Sequence, residues 1–241
     1  NCLLVLLSIL SLNENHSFSK GFLSSLMLLQ ASVNGVFLAG DLISLFIFSL
    51  GSFFIIKNKC LLIKDHDPNK IKFIHPENIA ILRAPCGNVI IELYPNISPN
   101  SVKRFKMLIE RKEYDNVAFH RVIKNVLVQS GDTEYGKRES LNYAKIGNGK
   151  SKYGTINTET DNNFDFGKGT VAMARTYERN SEDTQFFILL KDAPLFEGEY
   201  SPVGKVKYGL DVLKKIKYDN KTEYILRPDF IETFRMLRSI N

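Results

Sequence analysis

Cysteine and histidine are scarce in this chain, tryptophan is absent, and the N-terminal stretch is almost without charge. Only Cys2, Cys60 and Cys86 occur. They are too few and too scattered for a disulfide framework or a Cys-x-x-Cys metal site, so they read as small buried or surface residues and leave the redox compartment open. No Arg-Gly run, zinc-finger spacing or aromatic-rich RNA signature accompanies the net charge of +6, which therefore reads as a solvated surface without a nucleic-acid partner. Residues 1–57 carry only Lys20, Lys57, Glu14 and Asp41, two of each sign out of totals of 32 and 26, so all of the net charge belongs to the sequence after them.

What is present is a hydrophobic leader followed by ordinary globular composition. At 241 residues, 44% hydrophobic and 24% charged, the chain is long enough for one domain of about 150 residues and an appendage. The apolar run 3–12 is too short to span a bilayer. Residues 33–56 hold a single charge, Asp41, and as a helix would reach about 36 Å against a hydrocarbon core of about 30 Å, which predicts a transmembrane helix. A cleavable signal peptide would want a basic start, a shorter apolar core and a small-residue cut site, and the segment reads as a retained membrane attachment rather than a signal peptide. Lys57, Lys59 and Lys64 after the span, against Lys20 before it, favour a membrane-associated protein with the following domain on the cytoplasmic side. A polar stretch, 58–78, with Pro68 and Pro76, reads as a linker, and the compact domain is expected over 79–241.

Within that domain the pattern is short strands and turns. Residues 79–84 and 89–94 flank a turn at Pro85-Cys86-Gly87-Asn88. Ser98 with Pro99 behind it predicts a helix start, and Val102, Phe105, Met107, Leu108 and Ile109 carry that helix to Arg111. Residues 119–132 read as two half-buried strands meeting at Lys124-Asn125, with two polar side chains, Arg121 and Gln129, inside the apolar runs. A loop rich in Gly, Asn, Lys and Tyr spans 133–168. Strands are predicted at 169–174, 185–190, 202–206 and 231–237, and a short amphipathic helix at 208–216. The expected architecture is mostly β, a barrel capped at its ends by helices. Gly147-Asn-Gly-Lys-Ser151 lacks the Gly that a phosphate loop needs five residues before Gly149, where Ala144 stands.

Four motifs in order then carry a resemblance: Phe119-His-Arg-Val-Ile123 with Gln129-Ser-Gly-Asp132, Gly169-Thr-Val-Ala-Met-Ala-Arg175, Asn180-Ser-Glu-Asp-Thr-Gln-Phe-Phe-Ile188 and Gly204-Lys-Val206. They resemble the cyclophilins, peptidyl-prolyl cis-trans isomerases, of bacterial and most nearly alphaproteobacterial type, over about 79–237. The resemblance implies an eight-stranded antiparallel β-barrel capped by two helices. It implies that Arg121 is catalytic, that Gln129 and Gln185 hold the substrate backbone, and that Phe187 floors a proline pocket with Leu127 beside it. Ala174 and Arg175 would offer backbone to an extended peptide. His120 reads as a core histidine rather than a base. No cofactor or metal is implied, and the partners would be proline-containing segments of client proteins, bound by a monomeric catalytic domain.

The chain departs from the family at the pocket. Lys124-Asn-Val-Leu127 stands where relatives have Pro-Gly-Phe-Met, so a wall Phe becomes Val126. Leu195, followed by Phe196, fills the ring position of Trp, Phe or His, and Tyr200 replaces a frequent His. The missing Trp argues against tight binding of cyclosporin-like ligands. The expected function is an active prolyl isomerase in protein folding; the alternative is a membrane-tethered proline-peptide module with weak or no turnover. Residues 22–56, through Asn34-Gly-Val-Phe-Leu-Ala-Gly-Asp-Leu42, also resemble a fragment of antiporter-like subunits of NADH-quinone oxidoreductases and sodium/proton antiporters. One span cannot build an ion path, so this suggests a fusion or annotation error rather than transport.

Overall fold

The computed structural model describes Cys60, residues 63–161 and residues 164–237, within a compact unit that runs Lys59–Asn241. The expected leader 1–57 and its 33–56 span lie outside the described residues. Among the described residues no helix is long and apolar enough to cross a membrane.

Eight strands form one antiparallel sheet: β1 (Ile79–Ala84), β2 (Gly87–Leu93), β3 (Arg121–Ile123), β4 (Leu127–Ser130), β5 (Thr170–Met173), β6 (Phe186–Leu189), β7 (Pro202–Tyr208) and β8 (Thr233–Met236). Their order is β3-β4-β6-β5-β7-β2-β1-β8. The two-residue period of a strand sends alternate side chains inward, so Leu82, Val89, Ile91, Val122, Val128, Val171, Phe186 and Ile188 share one core. The β3–β4 hairpin turns at Lys124-Asn125 as expected, with Val126 N donating to Ile123 O at 2.9 Å and Asn125 in the left-handed region that Asn tolerates. The end strands β3 and β8 do not pair with each other. Instead the chain leading into β8 lies beside 116–122 through the Arg121–Tyr224 and Ala118–Phe230 bridges, so the half-barrel is completed by isolated pairings.

Helix α1 (Pro99–Glu110) buries Ser101, Val102, Phe105, Leu108 and Ile109. Phe105 meets the rings of Tyr114, Phe186 and Phe234 with centroids 5.4, 5.1 and 5.6 Å away, a cluster tying helix to sheet. Ser98 makes no side-chain cap bond. The free N–H groups of the first turn are met from elsewhere in the sequence: Glu159 accepts from Asn100 N at 3.1 Å and Ser101 N at 2.8 Å, a carboxylate suited to the positive end of the helix. The second helix, α2 (Leu210–Leu213), is shorter than the expected 208–216. The strand β7 continues through Tyr208, and Gly209 then turns the chain at φ 86°, where a Cβ would fall 2.1 Å from Asn88 O.

Cys60 and Cys86 form a disulfide, correcting their reading as unpaired small residues. Sequence separation gave no sign of it. The segment around Cys60 is laid on the β1–β2 turn, where Asp65 accepts from Asn88 N at 2.8 Å and from Arg83 Nη1 at 2.7 Å. The compact unit therefore starts well before Ile79.

Replacing Glu159 by Ala should lower the unfolding free energy by about 1 kcal/mol, the usual effect of losing an N-cap acceptor, as read by chemical denaturation.

Candidate active site

Strand register brings the expected residues together. Arg121 pairs with Gln129 across β3–β4, Gln129 with Phe187 across β4–β6, and Phe187 with Ala172 across β5–β6. Side chains opposite one another in an antiparallel ladder share a face, so these four make one row. Val122, Val128 and Ile188, one step along the same strands, belong to the barrel core, which puts the row on the outer face. There Leu127, Phe166, Ala172, Phe187 and Leu189 form a second buried cluster, edged by Val126, Phe196 and Tyr200. The rings of Phe187, Phe196 and Tyr200 are mutually in contact, with centroids 5.6, 5.1 and 5.0 Å apart.

A directed chain of hydrogen bonds runs beside this apolar floor. Arg121 Nη1 donates to Gln129 Oε1 at 3.1 Å, Gln129 Nε2 to Gln185 Oε1 at 3.2 Å, and Gln185 Nε2 to Gly147 O at 3.0 Å. Each amide accepts on one side and donates on the other, which fixes the orientation of both. On its other flank Arg121 Nε donates to Glu223 Oε2 at 2.8 Å, and Nη2 stands 2.7 Å from the same oxygen.

Gly147 is in place because of Asp132. This buried carboxylate accepts from the backbone N–H groups of Glu134, Tyr135, Gly147 and Gly149 at 3.1, 2.8, 2.7 and 3.1 Å. A Cβ at Gly149 would lie 2.1 Å from Asp132 Oδ1. The Gly147-Asn-Gly149 turn does cradle an anion, but the anion is the protein's own side chain.

Two buried titratable groups lie behind the site. Burial pushes the His120 imidazole down to about 4, so it is neutral near pH 7. Glu182 accepts from Ser201 Oγ at 2.8 Å beside Tyr200, and burial pushes its carboxyl up to about 7.

Residues 79–235 match the family described as cyclophilin type peptidyl-prolyl cis-trans isomerase/CLD. The chain belongs to that family. It is 40% identical over 149 residues to a probable peptidyl-prolyl cis-trans isomerase of Brucella suis, covering 61% of this chain and 76% of the relative. It is 37% identical over 140 residues to a peptidyl-prolyl cis-trans isomerase of Acinetobacter baylyi, covering 56% and 69%. Among solved structures, a Cryptosporidium parvum cyclophilin type peptidyl-prolyl cis-trans isomerase, studied in the presence of the dipeptide Ala-Pro, superposes with a TM-score of 0.58. That likeness covers 67% of this chain and 99% of the other at 24% identity, and it supports the cyclophilin fold. The matched residues do not reach the leader, so nothing supports the antiporter-fragment resemblance of 22–56.

On this cyclophilin frame the structure separates the remaining expected residues. Ala174 N donates to Gln185 O at 2.8 Å, extending the β5–β6 ladder toward the groove. The Arg175 side chain folds back instead: Nη2 lies 2.7 Å from Glu199 Oε2, and its guanidinium covers the Tyr200 ring at 5.1 Å. Leu195 is 89% exposed and stands apart from the aromatic cluster that Phe196 joins. Both lie in the 3-10 turn Pro194–Phe196, where successive residues are a third of a turn apart and cannot face the same pocket. Sequence reasoning missed Glu223, the Gly147 carbonyl and Phe166. The alternating aromatics of Phe164-Asp165-Phe166 were a usable signal for the last; Glu223, 102 residues from Arg121, offered none.

The Glu182 shift has a definite sign. The native state keeps a proton that the unfolded chain releases above the ordinary carboxyl value of 4.5, so this group destabilises the fold as pH rises from 4.5 to about 7. Glu182→Gln should remove that loss. Its unfolding free energy relative to wild type should climb across this window by on the order of 2–3 kcal/mol, in denaturation curves taken at several pH values.

Proposed function

We propose that this domain accelerates cis-trans rotation of X-Pro peptide bonds in client proteins, with Arg121 as the hydrogen-bond donor to the prolyl nitrogen. The observation that carries the reading is the row Arg121, Gln129, Phe187, which sets a fixed cation beside an aromatic floor. Rotation about the amide costs about 18–20 kcal/mol because resonance gives the C–N bond partial double-bond character. No covalent bond breaks, so the reaction asks for no nucleophile. In the twisted state the nitrogen lone pair localises and becomes an acceptor. A guanidinium cannot act as a base at neutral pH, which suits it to electrostatic stabilisation. One preorganised donor is worth roughly 3–4 kcal/mol, or about 10²- to 10³-fold in rate, and water exclusion by the floor adds to it.

The proline ring would sit on Phe187 with Leu127, Val126, Phe196 and Tyr200 around it, and Ala174 would pair with an extended peptide. The Ala-Pro dipeptide used with the Cryptosporidium parvum protein supports a proline-containing ligand for this one. Slow X-Pro steps limit many folding reactions, which gives the activity its use. The Cys60–Cys86 disulfide favours an oxidising compartment for the domain over the cytoplasmic side that the lysines favour.

The chain should speed isomerisation of an Ala-Pro peptide above the uncatalysed rate in a protease-free assay, and Arg121→Ala should cut the gain at least about tenfold. Wild-type rates equal to the background would end this reading. Restoring the missing ring with Val126→Phe should return apolar contact of about 1–2 kcal/mol and tighten proline-peptide binding up to about tenfold, measured by NMR titration.

A further inference from the structure

We infer that Glu223 is a positioning residue for Arg121, an inference that rests on the isomerase reading above. The proposed donor stands on β3, a strand of three residues at one end of the sheet, so the ladder alone holds it weakly. The chain at 223–225 supplies the missing neighbour. Val122 N donates to Glu223 O at 2.8 Å, Ile225 N donates to His120 O at 3.0 Å, and Arg121 and Tyr224 form a bridge between them. From this anchored backbone the Glu223 carboxylate reaches the guanidinium, where a single oxygen, Oε2, serves both Nε and Nη2.

Gripped there, the guanidinium plane cannot turn about its last bonds, and Gln129 holds Nη1 at the far end. An arginine carries five N–H donors, so the two terminal nitrogens still have protons to offer a substrate. A free arginine has many rotamers, and part of that freedom would be lost in every catalytic cycle if no partner held it. The Glu223 side chain is 49% exposed and that of Arg121 30%. An ion pair this wet contributes little to folding stability, so its removal should be felt in turnover rather than in the fold. That difference separates positioning from support of the structure.

The test compares wild type, Glu223→Ala, Glu223→Gln and Arg121→Ala in the full chain. Glu223→Ala should lower kcat by about three- to tenfold with the Ala-Pro peptide affinity within about twofold and the thermal midpoint unmoved. Glu223→Gln keeps an oxygen acceptor in place and should recover about half or more of the wild-type rate. The Arg121 Nε–H signal in 15N NMR should be sharp and protected from exchange in wild type and in Glu223→Gln, and lost in Glu223→Ala. If Arg121→Ala loses activity while Glu223→Ala keeps or exceeds the wild-type rate, the assignment of Glu223 is overturned and the isomerase reading survives. If wild type shows no acceleration, both fall together.

Discussion

The site depends on a strand that is buried on both faces. β4 puts Val128 and Ser130 toward the barrel interior and Leu127 and Gln129 toward the outer cluster, and β6 does the same with Phe186 and Ile188 against Phe187 and Leu189. A shift of one residue in the β4–β6 register would drive Gln129 into the core and expel Val128. The packing that stabilises the barrel therefore also fixes where Gln129 and Phe187 stand. Side chains placed this way inherit the rigidity of the sheet, and Arg121, at its edge, is held from a second side by Glu223.

Buried and half-buried carboxylates do a second job, holding chain that has no ladder of its own. The backbone N–H groups of the long loop must find acceptors somewhere. Asp132 takes those of Gly147 and Gly149, Asp183 takes Ser151 N at 2.6 Å and Arg104 Nη1 at 3.1 Å, and Glu159 turns the loop's own side chain to the start of α1. The loop is thereby made part of the scaffold, and the Gly147 carbonyl becomes the end of the hydrogen-bond chain that orients both glutamines.

Much of this was legible in residue order. The alternation in 119–132 located the hairpin, the turn at Lys124-Asn125 and the anomaly of a polar Arg121 and Gln129 among apolar neighbours. The anomaly is resolved by the two-faced strand: both side chains point to an outer cluster that is itself partly buried. The family motifs named Gln185 and Phe187 as companions: Phe187 faces Gln129 across the β4–β6 ladder, and the Gln185 side chain accepts from Gln129 Nε2. What misled was local reading of ends. Ser98 has the right residue type for a cap, yet the acceptor comes from Glu159. The apolar spacing of 208–216 suggested a helix from Tyr208, yet it starts only at Leu210, because β7 runs on to Tyr208 and Gly209 turns the chain where the backbone of Asn88 comes too close for a side chain.

The sequence by itself determined the strand pattern and the helix after Pro99 through short-range periodicity, and its resemblance to the family named Arg121, Gln129 and Phe187 as members of one site. Only the tertiary structure decided which groups hold them in place. Glu223 meets Arg121 across 102 residues, Cys60 meets Cys86 across 26, and Asp132 gathers backbone from 15 to 17 residues on. Such partners are chosen by chain folding in space. A carboxylate that will grip a guanidinium is, in sequence, indistinguishable from one that faces water.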